Sequence, residues 1–365
     1  MQFSKVSWIV LFFSITISSI SLISVIFPAL IAETVSNNGL EELGISQHEE
    51  NPFQTGPLAI LLIFTNIIIF GTYFLRNRFP NKIFKSFKKG IRFNPSTKVT
   101  TISIIIILSA YIILTIPELE KSEEFKDIIG IEKRLNESIR DDRFTFEDAI
   151  SGNQNYSLAE PHVKYSILLI SEKVFGDFRI IAFFASVSLL LLTYLITNAI
   201  TNNRFAGLVA LLLVVQSNLF LSFDTSAVYS NFWILFYLLS LYLLVKVWFA
   251  TPILFGISIF CKMLTAIFTP MSIFFILNSE ISNSQKIIIS SIIVILLIVG
   301  GIIFLGTQES DKLTSFEIDR FWESFASFAF QMRLDIITVL FLLPLIFGLF
   351  LSSKKFKHAN SISIL

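Results

Sequence analysis

VTTISIIIILSAYIILTI, residues 99–116, decides what kind of chain this is. None of its residues carries a formal charge, and a helix of that length approaches the thickness of a bilayer's hydrocarbon core. Its flanks differ in character. Residues 76–98 hold eight Lys and Arg and no acid, whereas 117–163 is net acidic. Lys and Arg are retained on the cytoplasmic side, so this span is expected to run from a cytoplasmic loop to an external one.

Working outward, apolar stretches recur at 6–31, 57–75, 178–200, 205–221, 232–249, 287–305 and 334–351. A longer apolar region, 252–277, is interrupted by Lys262 and Pro270 and reads as two short helices meeting at a break. The expected fold class is an all-α polytopic membrane protein of about ten transmembrane helices, with a long external loop carrying short amphipathic helices. With 54 % hydrophobic and 15 % charged residues, the composition agrees. The stretch 6–31 is longer than a signal-peptide core and reads as a retained anchor, with cleavage near Ala29–Ala32 as the rival reading. Acidic residues without Lys or Arg fill 33–50, and the C-terminal tail SSKKFKHAN is basic. Alternating these loops places both termini in the cytoplasm, both acidic segments outside, and the chain in the plasma membrane.

Other function classes lack support. A net charge of +1 does not suggest a nucleic-acid partner, and Cys261, the single cysteine, cannot form an intrachain disulfide. There is no CxxC, no HxxxH and no P-loop signature. Two N-x-S matches, at Asn136 and Asn155, fall in the loop assigned as external.

That loop is too long for a simple connector. Ile128, Ile129, Ile131 and Leu135 stand among charges at helical spacing, as in a helix lying on a membrane surface. Downstream, the order of features is Asp141-Asp142, Phe144, Phe146, Asp148-Ala149, Gly152, Tyr156, Glu160-Pro161-His162 and Lys164-Tyr165. Phe175-Gly176, Arg179, the small-residue run Ala206–Ala210 and the helix-like run Gly256–Lys262 follow. This order resembles the C-type polytopic glycosyltransferases, which include protein O-mannosyltransferases and lipid A aminoarabinose transferases. The resemblance covers about residues 99–280. It departs from the family's pattern in having Asp-Asp for Asp-Glu, Glu-Pro-His for the usual proline motif, two extra leading spans and no soluble C-terminal domain.

The resemblance divides the chain into 1–98 (two additional helices and a basic loop), 99–280 (a transferase-like core with external loop 117–177) and 281–365 (closing helices and a basic tail). It implies transfer of a sugar, a hexose such as mannose, from a polyprenyl or dolichyl phosphate to a lipid, glycan or protein acceptor on the outer face. Such chemistry needs a carboxylate to take the acceptor's proton and cationic groups at the departing phosphate. Asp141 is the first candidate base and Asp142 its rival, since adjacent carboxylates raise one another's pKa. Glu160, fixed in extended backbone by Pro161, is a third carboxylate, and Asp141 with Glu160 could hold a divalent metal ion. Lys262, His162 and Arg179 are candidates for the donor phosphate. Lys262 stands out because a charge inside an apolar region costs about 2.5–3.5 kcal/mol on insertion scales; snorkelling to an interface is the bland alternative. Glu147 and Asp148 carry less weight, as does Asp224 in FDTSAVYS, in the next external turn, where related lipid-linked transferases place a second acidic group. Phe321, Trp322 and Phe325 read as interfacial anchors. The rival functions are a multi-pass transporter with Lys262 at its substrate site and a non-catalytic transferase-like membrane protein.

Overall fold

The computed structural model describes residues 3–27, 53–75, 93–121, 162–307, 335–354 and 358–364. The described residues are helical and contain no strand. They fall into two compact units, one of Arg92–Glu309 and one joining Met1–Ile91 to Ser310–Leu365.

In the larger unit, α3 (Thr97–Leu119) follows α1 and α2 of the smaller one. Ser96 caps it by accepting the N–H of Val99. After α4 (His162–Phe175) and α5 (Arg179–Thr201), Asn202 takes a left-handed conformation (φ 51°). The side chain of Asn203 then accepts the N–H groups of Phe205 and Ala206, starting α6 (Arg204–Val215). A two-residue turn forces α6 back along α5. Gly207 allows the close approach, because a Cβ there would meet the Tyr194 ring at 2.7 Å and the Tyr194 carbonyl oxygen at 3.0 Å.

The stretch 205–221, expected as one span, is divided. Ser217 accepts the N–H of Phe220 and begins a separate short helix, α7 (Asn218–Phe223). A serine hydroxyl offers the backbone an alternative to continuing the helix. Beyond it come α8 (Phe232–Lys246) and, after a 3₁₀ turn, α9 (Thr251–Cys261).

The break expected in 252–277 is present. Lys262 is extended (φ −158°), a 3₁₀ helix covers Met263–Phe268, and α10 (Thr269–Asn278) begins with Pro270 in its first turn. One buried cluster joins Phe255 of α9, Phe275 and Ile276 of α10, and Tyr237, Leu241 and Leu244 of α8. Ile289 and Ile293 of α11 (Asn283–Thr307) complete it. Lys262 lies at the break between these two half-length helices, both of which contribute to the cluster with α8 and α11.

The smaller unit contains α1 (Lys5–Ile26), α2 (Ala59–Phe74), α12 (Ile336–Ser352) and α13 (Ala359–Ile364). Ser7, Ser14 and Ser21, seven residues apart, are buried on one face of α1 beside Val10, Leu11 and Leu22. Small side chains let helix backbones approach, and the hydroxyl of Ser14 donates to the Ser363 carbonyl at 2.6 Å. Asn66 of α2 donates its amide to the Leu340 carbonyl of α12.

α1, α3 and α5 are long and apolar enough to cross a membrane, and shorter apolar helices occupy 59–74, 204–215, 232–244, 248–261, 265–278, 283–299 and 336–352. This is an all-helical protein with the character of a membrane protein.

Replacing Gly207 by Ala is expected to cost about 1–3 kcal/mol through overpacking against Tyr194. Gly71→Ala, with nothing within 4 Å of the added Cβ, should leave the thermal midpoint in detergent unchanged or slightly raised.

Candidate functional site

The site is built at the corner between α4 and α5. Gly176 (φ 73°) ends α4, its N–H returning to the Glu172 carbonyl. The Asp177 carboxylate accepts the N–H of Arg179 at 2.7 Å. Ser171 donates to the Asp177 carbonyl and accepts the N–H of Ile181. This corner directs Arg179 inward, to 8 % exposure.

A buried guanidinium must satisfy its five N–H groups or lose the solvation it gave up. Here Nε donates to the Thr225 carbonyl (3.1 Å), and one Nη group reaches the Thr225 hydroxyl and the Glu118 carbonyl (both 3.0 Å). The other Nη group reaches the carbonyls of Leu119 and Lys121. Two of these acceptors, the Glu118 and Leu119 carbonyls, belong to the C-terminal end of α3, and the Lys121 carbonyl follows just after it; helix carbonyls there lack intrahelical partners and a cation complements the helix dipole. Arg179 therefore ties α3, α5 and the turn after α7 together.

Below that tie, Asp224 is 3 % exposed and accepts the Tyr111 hydroxyl at 2.8 Å and the Thr115 hydroxyl at 3.5 Å. Its carbonyl accepts from Ser186, whose oxygen in turn accepts from the Asn231 amide. Burial pushes the Asp224 carboxyl up from 3.8 to about 6, opposed by the Tyr111 hydrogen bond. Asp224, Thr115 and Arg179 line a cavity of about 780 Å³ between α3, α6 and α7.

Across the same turn lies a second set of groups. Cys261 packs with Ala227, Phe232 and Leu168, so the C-terminal end of α9 sits against the turn. The ammonium of Lys262 lies 5.4 Å from the centre of the Trp233 ring and makes no ion pair among the described residues. Lys164, near the start of α4, donates to the Val228 carbonyl. Two described residues on either side of 122–161 are tied to this region, the Lys121 carbonyl by Arg179 and the Lys164 ammonium by the turn.

Of the residues singled out from sequence, Arg179 and Lys262 flank one turn but face different surroundings. Asp141, Asp142, Glu147, Asp148 and Glu160 lie outside the described residues, as do the side chain of His162 and the anchors Phe321, Trp322 and Phe325. Among the described residues no three His, Cys, Asp or Glu side chains gather as metal ligands. The Tyr111–Asp224 pair was not anticipated. Its signal was available in Tyr111 and Thr115, polar residues four apart and hence on one face of an isoleucine-rich helix. No protein-family model, curated protein or solved structure matches the chain.

Lys lacks the planar fork of Arg, so Arg179→Lys should strand carbonyls at the end of α3 and cost at least about 2 kcal/mol of stability in denaturation measurements. Asp224 supplies a pH test. A carboxyl raised by folding stabilises the native state fully below its ordinary value of 3.8, and that contribution is lost as pH rises through about 6. Relative to Asp224→Asn, the unmodified protein should therefore lose thermal stability between about pH 4 and pH 6.

Proposed function

We propose that this chain is a polytopic glycosyltransferase that takes a sugar from a polyprenyl-phosphate donor and passes it to an acceptor at the outer face of the membrane. In this reading the apolar helices form about ten crossings, and the segment 122–161 lies outside. The observation that carries it is the placement of Lys262. An ammonium with no ion pair among the described residues sits at a break between two half-length apolar helices, beside the turn whose Val228 carbonyl accepts from Lys164, while Arg179 holds the Lys121 carbonyl. A lipid phosphate is the ligand that such a place suits, because its tail belongs among apolar helices and its charge belongs at the ammonium.

The chemistry is a single displacement. The acceptor oxygen bonds to the anomeric carbon as the bond from that carbon to the phosphate oxygen breaks, and the electron pair leaves with the lipid phosphate. The acceptor's proton passes to Asp141, or to its neighbour Asp142. Glu160 and His162, bracketing Pro161 at the start of α4, orient donor and acceptor. Lys262 stabilises the charge gathering on the phosphate. Arg179, with each N–H engaged, contributes positive charge and rigidity to the site.

The helix break is also the kind of feature that a transporter uses at its substrate site. Purified protein in lipid vesicles, supplied with radiolabelled polyprenyl-phosphate sugars and cell-envelope acceptors, separates the readings. Label should move to an acceptor. Asp141→Asn combined with Asp142→Asn should slow transfer by about 100-fold or more, and Lys262→Met by about 100-fold. Absence of transfer from any donor would refute the transferase, and equal transfer by the carboxamide variant would refute the assignment of the base.

A further inference from the structure

The cavity between α3, α6 and α7 has no part in the displacement just described, yet its walls are too particular for a packing gap. Its volume of about 780 Å³ lies within the roughly 300–1,000 Å³ of small-ligand sites. Most of its lining is hydrocarbon, including Ile106 and Leu114 of α3 and Leu212 of α6. Ile106 and Leu114 are 61 % and 76 % exposed, so the cavity opens sideways along the apolar surface of α3. In a membrane that opening faces lipid.

The polar end is specific in another way. Arg179 and Lys121 balance Asp224 and Glu118 in formal charge, and all four line the cavity. Lys121 is held by Glu118 at 2.7 Å, and the guanidinium is fully committed to protein oxygens. No cationic fork is left to recognise a phosphate, and an ammonium headgroup would meet Arg179. What is left is acceptor capacity. An ionised carboxylate offers about four hydrogen-bonding positions; Tyr111, Thr115 and the Thr225 N–H engage three of those on Asp224. The complement is an uncharged donor on an apolar body.

We propose that this cavity binds a membrane lipid with an uncharged hydroxyl headgroup, the hydroxyl donating to Asp224 and the chain lying against α3 and α6.

Photolabelling of the full-length protein in nanodiscs tests the site without any sugar donor. Three probes would share one diazirine-bearing C16 chain and differ in headgroup: the alcohol, its methyl ether and its phosphate ester. The alcohol should label peptides of α3 and α6 at least about fivefold more than either analogue, since the ether cannot donate and the phosphate lacks a cationic partner. Leu114→Trp, on the exposed face of α3, should suppress that labelling by filling the cavity. Asp224→Asn should erase the preference for alcohol over ether. Equal labelling by alcohol and ether would overturn the proposal, as would stronger labelling by the phosphate or labelling indifferent to Leu114→Trp. Selective alcohol labelling in a protein that transfers no sugar would keep the lipid site and sink the transferase; transfer without selective labelling would do the reverse.

Discussion

A buried guanidinium dictates the geometry of the larger unit. Arg179 cannot lose its charge, so its burial is tolerable only where oxygen acceptors surround it. Those acceptors come from the end of α3 and from Thr225, groups that themselves need donors because a helix end and a tight turn leave carbonyls unmatched. Each side of this exchange satisfies the other. The register of α3 against α5 is thereby set, and with it the level of every side chain on the inner face of α3.

Tyr111, Thr115 and Glu118 occupy that face at successive turns. Once Arg179 grips the last of these levels, Tyr111 and Thr115 are brought to Asp224. The turn 224–231 then works as a partition. Asp224, Thr225 and Ser226 border the cavity beside α3, while Ala227, Val228 and Phe232 meet α4 and the end of α9. Two chemically different surroundings result, one with a carboxylate and the other with ammonium groups.

Much of the helical pattern was legible from residue type alone. Uncharged runs such as 99–116 announce apolar helices, and Lys262 with Pro270 announced the break in 252–277, since a proline cannot donate and a lysine resists burial. Phe175-Gly176 and Arg179 stand out in the sequence as a motif whose purpose only the fold supplies: the glycine is the left-handed residue that turns α4 into α5. The division of 205–221 was hidden, because one serine cap is a small signal inside a long apolar run. Asp224 was undervalued for a similar reason. Nothing beside it in FDTSAVYS marks it, and its partners are 113 and 109 positions away.

By itself, the sequence determined which stretches become apolar helices, where they break and which loops carry opposite charge, because hydrophobicity, proline geometry and formal charge are local properties. Only the tertiary structure decided that Arg179 ties a helix end, that Asp224 is buried against Tyr111, and that Lys262 and the cavity stand on opposite sides of one turn. Hydrogen-bond satisfaction and burial depend on which distant segments meet, and an apolar helix shows in its own residues little of which neighbour will cover it.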